Sequence, residues 1–274
     1  MSEMFGNSSK HMIKQDIMKE EFGWTIPVES VPLPSKGVLY DPDTTIYNRE
    51  MVPIKAMTAH EEDILMSQAF IKDGTVIDQL IRSCVTDKTF DVEDLISGDR
   101  TALMVAIRIT GYGSDYNVDT VCQNCSYKNQ HTFKLGDLPI KRLKIEPVKK
   151  GVNAFKYTLP VTKKEITFKF LTGKDERDRT LSNKNAMSIL DSKIEKNVTS
   201  FLKYSILSIG GVSDKNKIEH FVRNMPAYDS KSLRQHIRDN EPGMVMGAHY
   251  DCASCGHRND ITLPITSEFF WPST

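Results

Sequence analysis

The chain has 274 residues, 39% of them hydrophobic and 26% charged, and its 36 basic side chains balance 36 acidic ones. A soluble globular chain of this size buries a real core in one large domain or two modest ones, and zero net charge argues against a dedicated nucleic-acid binder. No apolar run approaches the ~18 residues needed to span a bilayer, so no membrane role is expected. Nor does the N-terminus carry a signal-type stretch, so the expectation is folding in a reducing cytoplasm.

Residues 1–30 are expected to form a flexible arm, polar over 1–9 and then a short amphipathic helix over 10–22 with Ile13 and Ile17 on one side. Such a helix is too short to be stable alone. Pro27, Pro32 and Pro34 keep residues 24–35 extended. A turn at 41–44 and a strand over 51–57 complete a hairpin in which Pro53 favours an edge. Thr58 and Glu61 have capping-box spacing and open a helix through about Phe70. Asp73 and Gly74 break the chain, and a second helix runs from Thr75 to about Val85. A third runs from Gly98 to Ile109, with Leu103, Met104, Ala106 and Ile107 as its core face and Gly111 and Gly113 at its end. Together these predict a mixed α/β N-terminal unit over 31–115.

Two cysteine pairs come next. Cys122 and Cys125, and again Cys252 and Cys255, have the C-x-x-C spacing with which two thiolates grip one metal from a tight turn. Two such pairs supply the four sulfurs of a closed tetrahedral zinc site. Their flanks match as well. Ser126, Tyr127, Lys128, Asn129, Thr132 and Phe133 recur at the same offsets as Gly256, His257, Arg258, Asn259, Thr262 and Leu263. This predicts two pseudo-symmetric halves of a zinc ribbon, each a knuckle followed by a strand, holding one structural Zn2+. Four thiolates leave no open coordination position, so the metal is not expected to be catalytic. Ordinary buried thiols and a redox dithiol are the alternatives. The latter calls for a C-x-x-C opening a helix in a βαβ setting, whereas segments 117–121 and 132–135 around the first pair read as strands. His131 and His257 lie near enough to substitute as ligands. Cys84, in step with Ile77, Leu80 and Ile81, reads as a small core residue.

Between the pairs lies an insertion. Segments 153–160 and 165–171 alternate apolar and polar residues as a strand pair does. A helix starts at 172–176, and three or four helices follow to about Asn240. Their apolar faces carry Phe201, Leu202, Ile206 and Ile209, then Ile218, Phe221 and Val222, then Leu233 and Ile237. Gly210, Gly211, Pro226, Pro242 and Gly243 punctuate them. Met244 to Tyr250 reads as the strand entering the second pair. Phe269, Phe270, Trp271 and Pro272 make an apolar end, expected to be tucked into the body or a partner. The expected fold class is α+β: arm (1–30), N-terminal unit (31–115), split zinc ribbon with C-terminal tail (116–148 and 243–274) and inserted hairpin-plus-helical subdomain (149–242).

Residues 134–175 carry eleven Lys/Arg against four acids, which reads as a solvated hairpin face or as a docking surface for an acidic protein. No G-x-S-x-G, phosphate-cradling glycine loop or H-E-x-x-H occurs. The charged run from Lys174 to Arg179 reads as a solvated helix with i,i+4 ion pairs. No enzyme and no small-molecule substrate are therefore expected.

Several stretches taken in order carry a resemblance: Leu33 to Tyr40 (LPSKGVLY), Leu171 to Arg177 (LTGKDER), Ile206 to Gly211 (ILSIGG), Met225 to Ser230 (MPAYDS), the second cysteine pair, and Phe269 to Pro272 (FFWP). From about residue 30 onward the chain resembles the baseplate hub and hub-assembly proteins of T-even-type tailed bacteriophages. The resemblance implies a late viral protein that is incorporated near the central hub or acts as an assembly factor for hub and tape-measure components. It implies other baseplate hub or tail proteins as partners, and the virion tail baseplate or the host cytoplasm during assembly as its place. The alternative reading is a zinc-ribbon nucleic-acid-binding protein, with Lys128, Arg258 and the basic hairpin tracking phosphates.

Overall fold

The computed structural model describes residues 19–190, 197–265 and 267–270. The polar segment 1–9, most of the helix expected over 10–22, and Trp271 and Pro272 lie outside the described residues; residues 19–22 are helical. The fold is mixed α+β, with helices set among five small sheets in the described residues.

Strands β1 (Val28–Pro32) and β2 (Met51–Lys55) pair antiparallel, with Ser30 opposite Pro53. In a two-stranded sheet each strand keeps an open edge, where a proline without an N–H is tolerated. The intervening Leu33 to Tyr40 stretch is a tight buried turn. Ser35 donates to Asp99 from both its N–H (2.9 Å) and its hydroxyl (2.5 Å), and the Tyr40 hydroxyl donates to the same carboxylate at 2.6 Å. Gly37 has φ +72°, and a Cβ there would lie 2.4 Å from the Ile46 carbonyl oxygen, so only glycine fits.

Helix α1 (Ala59–Met66) opens with the expected capping box, in which Glu61 Oε2 accepts the Thr58 N–H at 2.9 Å. It does not continue to Phe70. Ser67 is extended, and α2 (Gln68–Asp73) starts afresh. Serine does little to hold a helix together, and the burial of Glu61 and Leu65 outweighs continuation. Helix α3 (Val76–Cys84) buries Leu80, Ile81 and Cys84, as its spacing predicts. The Cys84 thiol is pushed up to about 12, chiefly by burial, and behaves as a core group.

Helix α4 (Ser97–Tyr112) is the middle of the fold. It buries Ala102, Leu103, Val105 and Ile107 together with Asp99 and Arg108, while Met104 and Ala106 are only half-buried. The expected single apolar face is therefore too narrow, because a helix covered nearly all round shows no clean stripe. Hairpin β3 (Asp115–Val121) and β4 (Lys128–Lys134) follows, then β5 (Ile140–Lys141).

Strands β6 (Phe155–Thr158) and β7 (Glu165–Phe168) pair as expected, and the charged run opens α5 (Gly173–Leu190). Among the described residues, its ion pairs reach other segments rather than along their own helix. Asp175 meets Lys169 at 2.7 Å, Glu176 meets Arg100 at 3.2 Å and Arg177 meets Glu93 at 2.6 Å, so these three form a docking edge within the fold while Lys174 and Asp178 are exposed. After α6 (Asn197–Ser205), residues 206–209 form β8 (Ile206–Ile209) beside β7, not a helical face. The open edge of β7 offers unpaired backbone groups, and pairing there buries Ile206. Helices α7 (Lys215–Asn224) and α8 (Ala227–Asn240) bury Ile218, Val222, Leu233 and Ile237.

Strand β9 (Gly243–Met244) pairs with β5, tying the chain just after the first hairpin to the chain just before the second. The second hairpin is β10 (Gly247–Asp251) and β11 (Arg258–Thr262), and α9 (Ser267–Phe270) brings Phe269 and Phe270 into the core. The apolar end is thus tucked into the body as far as it is described. Among the described residues no helix is long and apolar enough to cross a membrane.

Candidate metal centre

Each cysteine pair sits on the turn of a hairpin, and the two turns are built alike. In the first, the Cys122 N–H donates to the Tyr127 carbonyl at 2.9 Å and the Ser126 N–H to the Cys122 carbonyl at 2.9 Å. In the second, Cys252 donates to His257 at 2.9 Å and Gly256 to Cys252 at 2.8 Å. Ser126 (φ 58°) and Gly256 (φ 69°) occupy the same left-handed position. The repeat of flanking residue types therefore encodes a repeat of backbone geometry.

The turns face each other and bring the four sulfurs within 4.8 Å of one another. Cys122 and Cys255 sulfurs are 3.7 Å apart, and Cys125 and Cys252 sulfurs 3.6 Å. Four sulfurs at ~2.3 Å from a central metal form a tetrahedron with edges of about 3.8 Å, so the spacing fits. It is far beyond the ~2.05 Å of a disulfide, and all four thiols are free. Cys122 and Cys252 are buried, Cys125 and Cys255 exposed.

The surroundings suit thiolates. Burial opposes ionisation of Cys122, but the N–H groups of Cys125 and Asn124 and the Asn259 amide outweigh it and bring that thiol down to about 6. Cys125 goes the other way. The Tyr127 N–H draws it down, yet contacts with the Cys255, Cys252 and Cys122 sulfurs push it up to about 12. Four sulfurs this close ionise together only around a cation. The residues present could hold one metal ion, and thiolate donors suit soft or borderline metals.

Neither histidine joins the cluster. The His131 ring packs on Tyr250, with centroids 4.5 Å apart, while His257 contributes backbone groups, its carbonyl to Cys252 and to Asn259 and its N–H to the Cys255 sulfur. Two asparagines do take part. Asn124 Nδ2 lies 3.6 Å from the Cys255 sulfur, and Asn259 Nδ2 lies 3.6 Å from the Cys122 sulfur. The recurrence of Asn129 and Asn259 at one offset was the available signal, but it did not distinguish which of them reaches across.

The fold and site define a mixed α+β chain whose two matched hairpin turns present a four-cysteine cluster able to hold one metal ion. A family model described as T4 bacteriophage base plate protein matches residues 33–271, and the chain belongs to that family of phage tail components. No curated protein and no solved structure matches it. Membership agrees with a structural role in the virion tail and with other baseplate proteins as neighbours.

Proposed function

We propose that the chain is a non-enzymatic protein of the baseplate hub region, or an assembly factor for hub and tail, in which Cys122, Cys125, Cys252 and Cys255 hold one structural Zn2+. The convergence of four thiols from segments more than 120 positions apart supports this reading, because a metal there ties together chain that no local turn could join. In this reading the ribbon, 116–148 with 243–274, clamps the N-terminal unit of 31–115 to the inserted subdomain of 149–242. Its partners are other hub and tail proteins, tape-measure components among them.

Two measurements test it. Metal analysis of the purified chain should find one zinc, and a strong chelator should lower its melting temperature. Mass spectrometry of purified virions and of tail-assembly intermediates should then find the chain in the particle, as a hub protein, or only in the intermediates, as an assembly factor. Absence from both would overturn the baseplate assignment.

A further inference from the structure

Asn259 stands apart from the pseudo-symmetry of the two turns. It is 1% exposed, and every hydrogen-bonding group of its amide is used. Oδ1 accepts the Gln123 N–H at 2.9 Å, inside the first cysteine turn. Nδ2 donates to the His257 carbonyl at 2.9 Å in its own turn and to the Cys122 sulfur at 3.6 Å in the other. These partners fix which way the amide points, since an N–H must face the oxygen and a carbonyl the nitrogen. At the matching offset, the Asn129 side-chain oxygen accepts the N–H of its own neighbour Gln130 at 2.9 Å rather than a group of the other half. At this offset the reach across is therefore one-sided, although Asn124 Nδ2 of the first turn also lies 3.6 Å from the Cys255 sulfur of the second.

From this arrangement we infer that Asn259 is the positioning residue of the metal site: it locks the two cysteine turns face to face without the metal and donates to one ligand sulfur, and so sets how tightly the site binds. The inference rests on the zinc reading above. Its physical basis is that a site assembled beforehand spends less of the binding free energy on ordering the chain, and that hydrogen bonds to ligand atoms tune metal affinity. Gln123 contributes through its backbone alone, so this link depends on the side chain at 259; the Tyr250 hydroxyl adds a second, to the Val121 carbonyl at 3.0 Å, that leaves the turn itself untouched.

The test uses the full chain as parent, Asn259→Ala, Asn259→Asp and Asn129→Ala. Each is stripped of metal and reloaded with Zn2+ against a competing chelator, and with Co2+ to read sulfur ligation by absorption. Asn259→Ala should lower Zn2+ affinity about 10- to 100-fold and shift the sulfur-to-cobalt band. Asn259→Asp keeps the acceptor for Gln123 but loses the donors to the Cys122 sulfur and to the His257 carbonyl; it should bind at least tenfold more weakly and show the band shift, which decides the matter if it folds and the alanine variant does not. Asn129→Ala should match the parent. Variants at 259 that load within twofold of the parent with an unchanged band would overturn the inference, as would an equal loss in Asn129→Ala. A parent that binds no metal would overturn the zinc reading itself, a result distinct from loading that is indifferent to residue 259.

Discussion

Arg108, on the central helix, donates from Nε to the Phe269 carbonyl, 2.6 Å away in space and 161 positions away in the chain. Its two other nitrogens meet the carbonyls of Gly113 (2.8 Å) and Asp115 (3.1 Å). A fully buried guanidinium is thereby shared among the end of α4, the start of β3 and the last described helix. Hydrogen bonds from a charged donor contribute about 1.5–3 kcal/mol each. Arg108→Ala should cost at least about 3 kcal/mol in denaturant unfolding, because it leaves three carbonyls without their donor, and Arg108→Lys should recover less than half, because an ammonium lacks the planar fork that reaches three acceptors.

Replacing Cys122 or Cys252 by Ser should lower the stability of the whole chain, since a structural zinc contributes on the order of 10 kcal/mol to folding. Calorimetry would show the parent's melting temperature falling on chelation, with the serine variants already low and insensitive to chelator. Serine variants that melt like the parent would sink the clamp.

Glu61 makes stability depend on acid. Burial opposes its charge, but hydrogen bonds from Lys55, Ser83 and Thr58 hold its carboxyl down from 4.5 to about 2. The folded pKa lies below the unfolded one, so its contribution is present above about 4.5 and is lost as pH falls toward about 2. The shift corresponds to roughly 3 kcal/mol. Denaturation curves of parent and Glu61→Gln should differ by that order at pH 7 and converge across this window.

Two glycines of α4 should respond oppositely to alanine. A Cβ at Gly98 would lie 1.8 Å from the Pro242 carbonyl oxygen, where backbone meets backbone. A Cβ at Gly111 would press on the Met57 Cε at 2.9 Å, the far end of a side chain that can turn aside, and on the Met57 Cβ at 3.1 Å, which need give only a few tenths of an ångström. Gly98→Ala should cost at least about 3 kcal/mol, despite the ~1 kcal/mol that alanine ordinarily adds inside a helix. Gly111→Ala should stay within about 1 kcal/mol of the parent. Melting both variants checks the contrast.

The metal-site candidates were legible because C-x-x-C spacing and its flanks are local, and local repeats of residue type became repeats of hydrogen bonding. The capping box at Thr58 and the burial of Cys84 were legible for the same reason. Strand β8 was hidden: Ile206 and Ile209, three apart after a helix, mimic a helical stripe, and only the open edge of β7 decides otherwise. The role of the Leu33 to Tyr40 stretch was hidden because its meaning lies 59 to 64 positions away, at Asp99. Asn259 was visible as one of a repeated pair, but a bond across 136 positions breaks the symmetry that the repeat suggests.

The reach from Arg108 to Phe269 also has a consequence in time. Ribosomes add roughly 5–20 residues per second, so about 8 to 32 seconds separate synthesis of the guanidinium from synthesis of its last acceptor. For most of that interval Cys122 and Cys125 wait for Cys252 and Cys255, and Gly98 has no Pro242 to meet. The nascent chain therefore carries an unfinished centre until residue 269 is made, and a chain truncated before that point would lose contacts in its middle as well as the segment removed.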